Sequence, residues 1–151
     1  MKEHIFSHLS NEGKVLFFIL LSIEILSDFS QNADRQIAQN ALLKSLEWVK
    51  TKQEMGYELY NLLDDEEYGI TIIHEMSENG KESAVWNCII DTVAYTSRKA
   101  MEKEGVEYFP EPIALVDDTL VEHFISSIEQ VKGDSTLLIK KTFEQLLSIL
   151  D

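Results

Sequence analysis

The sequence predicts an all-α fold, a single-domain bundle of about six to seven helices. Apolar residues recur three or four positions apart through nearly the whole chain, which is typical of helices with one buried face. The sequence contains no run of alternating apolar and polar residues flanked by glycine, the pattern that would indicate a sheet. The 151 residues, 44% of them hydrophobic, suffice for one core and are few for two domains. We therefore expect residues 1–151 to form one helical domain.

Two long helices are predicted in the first third of the chain. Ser10 is placed to cap a helix from about residue 11 to residue 29, which is hydrophobic almost all round and therefore central. Asn32 is placed to cap a second helix, and Gly56 is expected to break it.

Shorter apolar segments then lead into the clearest helix of the chain. Residues 57–63 and 70–76 have helical spacing, and 81–104 carries a stripe so wide that burial on most sides is expected. Gly105 stands where a left-handed residue would end this helix. Because Trp48 and Trp86 belong to strongly periodic helices, we predict that both are core residues.

Two prolines shape the next connection. Pro110 and Pro112 predict an extended segment near 106–116, because the residue before a proline is pushed out of the helical region. Asp117 or Asp118 is then expected to cap another helix.

The last part of the chain predicts two further helices. Residues 120–131 have one apolar face, and a turn at 132–134 follows. Asp134 is placed as the N-cap of a closing helix that continues to Leu150.

The negative charge is concentrated in two segments. The net charge is −14; residues 61–80 contain six acids and no Lys or Arg, and residues 105–134 contain seven acids and one Lys. Such concentrated charge attracts a cationic partner and says nothing about the fold. The absence of a basic stripe argues against a nucleic-acid partner.

Patterns that indicate catalysis or metal binding are missing. The chain has no glycine-rich phosphate loop, nucleophile elbow, paired-cysteine zinc site or HExxH motif; after His74, Glu78 stands where the second histidine would be needed. Cys88 lies on the most apolar helix and is best interpreted as a small buried hydrophobe. We therefore expect no enzyme activity, no catalytic residue and no cofactor.

A partial calcium-loop pattern begins at Asp64. Glu66, Gly69 and Glu75 fall at the third, sixth and twelfth positions of such a loop, but Tyr68 at the fifth cannot ligate as Asp or Asn would. A solvated acidic turn between two helices is the preferred interpretation, and no metal site is predicted.

Location follows from two features. The run Val15–Leu26 is twelve residues long and contains Glu24, whereas a membrane-spanning helix needs about 20 apolar residues. It also lacks the basic start and the cleavage site of a signal peptide, so we expect a core helix and no membrane association. Since Cys88 is alone, no disulfide can form within the chain, and a cytoplasmic location is expected.

Acidic and aromatic residues occur together in two segments, 57–68 and 107–122. Aromatic side chains anchor protein interfaces, and surrounding charges set orientation and encounter rate. The alternative is that the aromatics pack on the core and the carboxylates only maintain solubility. The candidate partner-binding residues are Tyr57, Tyr60, Asp64, Asp65, Glu66, Glu67, Tyr68, Glu107, Tyr108, Glu111, Asp117, Asp118 and Glu122.

A family resemblance rests on three stretches: LSNEGKVLFFILLSIEIL, AVWNCIIDTVAYTSRKAMEKEG and YFPEPIALVDD. With the acidic, helical character of the chain, they resemble one of the all-helical immunity protein families of bacterial polymorphic toxin systems. The resemblance implies a protein made beside a secreted or contact-delivered toxin, which it binds and neutralises inside the producing cell. It supplies no catalytic residues and does not identify the toxin's activity.

Three functions are therefore compared. The favoured hypothesis is an immunity protein that occludes a cognate cationic toxin domain, because nuclease toxins must attract phosphate and are usually basic. An acidic helical adaptor or regulatory protein without a toxin partner would have the same composition, and a small metal-dependent enzyme is the weaker rival. The oligomeric state stays open.

Overall fold

The computed structural model describes residues 2–64, 69–70 and 80–150, and this part of the chain contains eight α-helices and no strand. The all-α prediction is confirmed. Two of the eight, α1 and α6, are too short to leave a periodic pattern in the sequence. The helices are α1 (Lys2–Ser7), α2 (Asn11–Ile25), α3 (Asn32–Thr51), α4 (Gly56–Asp64), α5 (Gly80–Glu104), α6 (Glu111–Ala114), α7 (Leu120–Lys132) and α8 (Thr136–Leu150), and a 3-10 turn spans Leu26–Asp28.

Helix α5 is the centre of the bundle. It packs against α2, α3, α4, α6 and α7, while α8 packs against α2. The wide apolar stripe predicted for it is confirmed, since even Asp91 and the hydroxyl residue Thr92 are buried on it. Trp48 and Trp86 are core residues as predicted, and Cys88 is fully buried.

Aromatic side chains fill the space between α2, α5 and α7. The Phe18 ring lies 4.7 Å from the Tyr95 ring and 4.5 Å from the Phe124 ring, centroid to centroid. Phe6 of α1 lies against Phe17 at 5.3 Å, so α1 adds a side chain to the same core. Each aromatic pair of this geometry stabilises a fold by about 1 kcal/mol in addition to the free energy gained by burying its apolar surface.

The ends of α2 and α3 agree only partly with the sequence. Ser10 caps α2 as predicted, its Oγ accepting a hydrogen bond from the Gly13 amide at 3.1 Å. Asn32 is not the cap of α3; it is the first helical residue, and Gln31 precedes it without a side-chain cap bond. The helix also ends before Gly56, because Lys52 adopts a left-handed conformation (φ 55°) and its amide donates to the Trp48 carbonyl.

Gly56 begins α4 rather than ending α3, and close packing explains the glycine. Its amide donates to Glu104 Oε2 at 3.0 Å, and Ser97 Oγ donates to its carbonyl at 2.8 Å. A Cβ here would lie 2.5 Å from Met101 Cγ. The close approach of α4 to α5 therefore requires glycine.

The connection after α5 contains one helical turn. Gly105 has φ 77° and ends α5 as predicted. Pro110 is the N-cap of α6 and Pro112 lies in its first turn, where no amide donor is needed. The prediction of an extended segment is therefore wrong for residues 111–114, which are helical. A proline disfavours a helix before it but suits the first turn of one.

The caps of the last two helices are displaced by one or two residues. Helix α7 begins at Leu120 with Thr119 as N-cap, so neither Asp117 nor Asp118 holds that position. Asp117 Oδ1 instead accepts a hydrogen bond from the Thr119 amide at 2.9 Å. Asp134 Oδ1 likewise accepts from the amide of Thr136, the first residue of α8, at 2.9 Å.

Candidate partner-binding surface

Helix α4 carries the first group of predicted partner-binding residues. Tyr57 and Asp64 are exposed, and Tyr60 is half-buried. The Tyr60 hydroxyl donates to Asp64 Oδ2 at 2.9 Å, and this hydrogen bond to a carboxylate raises the pKa of Tyr60. Tyr60 and Asp64 thus form one polar unit at the C-terminal end of the helix.

The remaining residues of this group, Asp65, Glu66, Glu67 and Tyr68, lie outside the described residues. The same holds for most of the calcium-loop pattern that begins at Asp64. Within the described ranges, no group of three or more His, Cys, Asp or Glu side chains is arranged to hold a metal ion.

The second group lies on the connection from α5 to α7, residues 105–119. Glu107, Tyr108, Glu111 and Asp117 are exposed there, and Glu122 is exposed in the first turn of α7. Hydrogen bonds from the Thr119 hydroxyl and amide lower the pKa of Asp117, so this carboxylate is charged at neutral pH. No Lys or Arg occurs between residues 104 and 131. The connection is therefore an exposed anionic surface.

Asp118 differs from its neighbours because the fold uses both of its carboxylate oxygens. Lys14 Nζ lies 2.7 Å from Oδ2, and the Tyr95 hydroxyl donates to Oδ1 at 2.6 Å. Burial acts to raise the pKa of Asp118, but hydrogen bonds from Lys14 and Tyr95 outweigh it, and the pKa is lowered. Asp118 therefore ties the connection to α2 and α5, and its contact with a partner stays a prediction.

The two groups flank the C-terminal half of α5 on adjacent sides. The start of α4 meets α5 at positions 97, 101 and 104, whereas the connection meets it at positions 95 and 98. Neighbouring positions of an α-helix are about 100° apart around its axis. Asp64, eight residues from Gly56, lies about 12 Å further along α4. The start of α4, which carries Tyr57, and the connection therefore both pack on the C-terminal half of α5, and Asp64 lies at the other end of α4.

Two residues of this surface were missed by the sequence interpretation. Leu115 follows α6 and is 88% exposed. Arg98 donates from Nη1 to the carbonyl oxygens of Ala114 at 2.9 Å and Ile113 at 3.3 Å. An exposed leucine inside an apolar stretch looks like a core residue, and a contact across 16 positions leaves no periodic signal.

A comparison with known protein families matches most of this chain. The family described as "Immunity protein Imm6" matches residues 13–131, which extend from α2 to the end of α7 and include the whole connection. Comparisons with curated proteins and with solved structures found no match. Among the described helices, none combines the length and hydrophobicity needed to cross a membrane. The match covers most of the chain, and the chain therefore belongs to the Imm6 family of immunity proteins.

Proposed function

We propose that this immunity protein neutralises a basic toxin domain of a polymorphic toxin system by covering the toxin's active or substrate-binding surface. Membership of the family gives a toxin as the partner. The observation that carries the finer proposal is the anionic connection with the first turn of α7. Glu107, Glu111, Asp117 and Glu122 are exposed there, and no Lys or Arg occurs from residue 104 to residue 131.

The charge of this surface suits a partner that itself binds a polyanion. A nuclease domain presents Lys and Arg to phosphates, and an acidic inhibitor can occupy the same cations. Complementary charges mainly accelerate encounter, while slow dissociation comes from buried aromatic and apolar contacts. Tyr57 and Tyr108, both exposed beside the acids, are suited to such contacts.

The inhibition proposed here needs no cofactor and no chemical step. The protein acts as a stoichiometric binder in the cytoplasm of the producing cell, where its only cysteine stays reduced. Direct occlusion requires that the immunity protein and the toxin's substrate compete for one surface of the toxin.

The test uses the toxin domain encoded beside this gene, made inactive by substitution and produced with the immunity protein. We expect a stoichiometric complex in a pull-down, and an association rate that falls steeply as salt rises. With the active toxin, co-expression should restore growth, and an unrelated acidic helical protein of similar net charge should not.

Two results would contradict this function. One is growth inhibition by the toxin that the immunity protein does not relieve. The other is an association rate that is unchanged between low and high salt, because that result would remove charge complementarity from the mechanism.

A further inference from the structure

The connection exposes two large apolar side chains to an unusual degree. Tyr108 is 86% and Leu115 is 88% exposed, the highest values for any large hydrophobic side chain in the described part of the chain. A single exposed leucine is common and indicates nothing by itself. What distinguishes this pair is the set of contacts that hold the backbone on either side of it.

Arg98 holds the middle of the connection against α5. Besides its hydrogen bonds to the Ile113 and Ala114 carbonyls, its guanidinium carbon lies 3.8 Å from the centre of the Phe109 ring. Glu102 Oε2 accepts from Arg98 Nε at 3.0 Å and fixes the other side of the guanidinium. Planar stacking together with directed hydrogen bonds is a geometry that lysine cannot reproduce.

Two further contacts fix the connection at other points. The Ile113 side chain is fully buried, and Asp118 is bound to Lys14 and Tyr95. Tyr108 therefore adjoins Phe109, which Arg98 holds, and Leu115 adjoins Ala114, whose carbonyl Arg98 binds. Because these contacts hold the backbone of the connection, binding through Tyr108 and Leu115 would lose less conformational entropy than binding through a loop without such contacts.

We infer that Tyr108 and Leu115 are the apolar anchors of the toxin contact, and that Arg98 is the positioning residue that presents them. The inference rests on the proposed function and adds its specific contacts. Glu107, Glu111 and Asp117 are exposed on the same connection, within a few residues of the anchors, and would form the charged rim that surrounds the apolar centre of an interface. The occupant is accordingly a basic protein face with apolar depressions that receive one aromatic and one aliphatic side chain.

Charge decides between this occupant and a second copy of the same chain. In a twofold dimer built on this surface, the acids of one copy would face the acids of the other. The connection itself has no Lys or Arg to compensate that repulsion, and the Arg98 guanidinium beside it is already paired with Glu102. A basic partner would instead be attracted by the same carboxylates.

The test separates anchors from steering charges by kinetics. Tyr108→Ala and Leu115→Ala are measured for binding to the inactive toxin domain encoded beside this gene. Each should raise the dissociation rate at least about tenfold and leave the association rate within about twofold, because anchors act after encounter. Leu137→Ala is the matched control, since Leu137 is 80% exposed but lies on α8, and it should change neither rate.

Arg98→Lys tests positioning while it keeps the charge. We expect faster amide hydrogen exchange in residues 109–116 of the free protein and a dissociation rate raised severalfold. In the Arg98→Lys background, Leu115→Ala should have a smaller effect than in the wild type, because the anchor is no longer presented. Equal effects in both backgrounds would show that Arg98 has no positioning role.

The outcomes distinguish this inference from the function on which it rests. If both anchor variants bind like the wild type while a charge reversal such as Glu107→Lys slows association, the assignment of the anchors is wrong and the proposed function stands. If wild-type protein does not bind the toxin domain, both fail. If Leu115→Ala instead abolishes self-association in sedimentation, the occupant is a second copy and the inference is overturned.

Discussion

His123 Nδ1 lies 2.6 Å from Oδ2 of Asp91 and joins the exposed face of α7 to the buried centre of α5. The imidazole is largely exposed, whereas Asp91 is only 6% exposed. Burial raises the pKa of Asp91 to about 6, although the hydrogen bond and the charge of His123 act in the opposite direction. The molecule therefore has a buried carboxyl group that titrates near neutral pH.

This pair makes folding stability dependent on pH. In the unfolded chain Asp91 has an ordinary pKa near 4, so between about pH 4 and 6 the folded state binds more protons at this site. The stability that Asp91 contributes is thus present at low pH and is lost as the pH rises through about 6. Asn at this position cannot titrate and removes the dependence.

The measurement is urea unfolding of wild type and Asp91→Asn between pH 5 and pH 8. The free energy of unfolding of the wild type, relative to that of the variant, should increase by about 1 kcal/mol as the pH falls from 8 to 5. A difference that is constant, or that moves in the opposite direction, would show that His123 rather than burial dominates the pKa of Asp91.

Asp118 should matter for stability, in contrast to the adjacent Asp117. Asp118→Asn leaves Lys14 without its ion partner and weakens the hydrogen bond from Tyr95, so we expect a loss of about 1 kcal/mol after allowance for solvent screening. Since the folded pKa of Asp118 is lowered, this contribution exists above about pH 4 and disappears as the pH falls further. The control, Asp117→Asn, keeps an oxygen that can accept the hydrogen bonds from Thr119, so it should lower the melting temperature less than Asp118→Asn; equal effects would refute the assignment.

A reversed charge on the connection should slow toxin binding. Glu107→Lys places a cation in the anionic surface, so the association rate with the toxin domain should fall severalfold at low salt and recover as salt rises. Glu144→Lys is the matched control, because Glu144 is also exposed but lies on α8. Equal effects of the two reversals would mean that net charge, and not the connection, steers the encounter.

Gly56 should resist substitution although it is helical. Alanine would place its Cβ 2.5 Å from Met101 Cγ and 2.7 Å from Glu104 Oε2. We expect a loss of about 1–3 kcal/mol, despite a gain of roughly 1 kcal/mol in helix propensity. Gly80→Ala is the control, because nothing lies within 4 Å of its added Cβ, and it should be neutral or slightly stabilising. Thermal unfolding of both variants measures the contrast.

The sequence by itself determined the all-α class, the position of the central helix and its stop at Gly105. These features are local: apolar spacing selects the helix, burial follows from the width of the stripe, and a left-handed stop favours glycine. The Ser10 cap is equally local, since donor and acceptor are three residues apart. The acidic segments were also found from the sequence alone, because the charge of a segment is obtained by counting its residues.

Only the tertiary structure decided which of those acids the fold itself uses. Asp117 and Asp118 are identical in sequence terms, yet one is exposed and the other binds Lys14, 104 positions away. The roles of Arg98 and Gly56 likewise depend on partners distant in the chain. A hydrogen bond between remote residues depends on how the helices pack, and no periodicity records that packing.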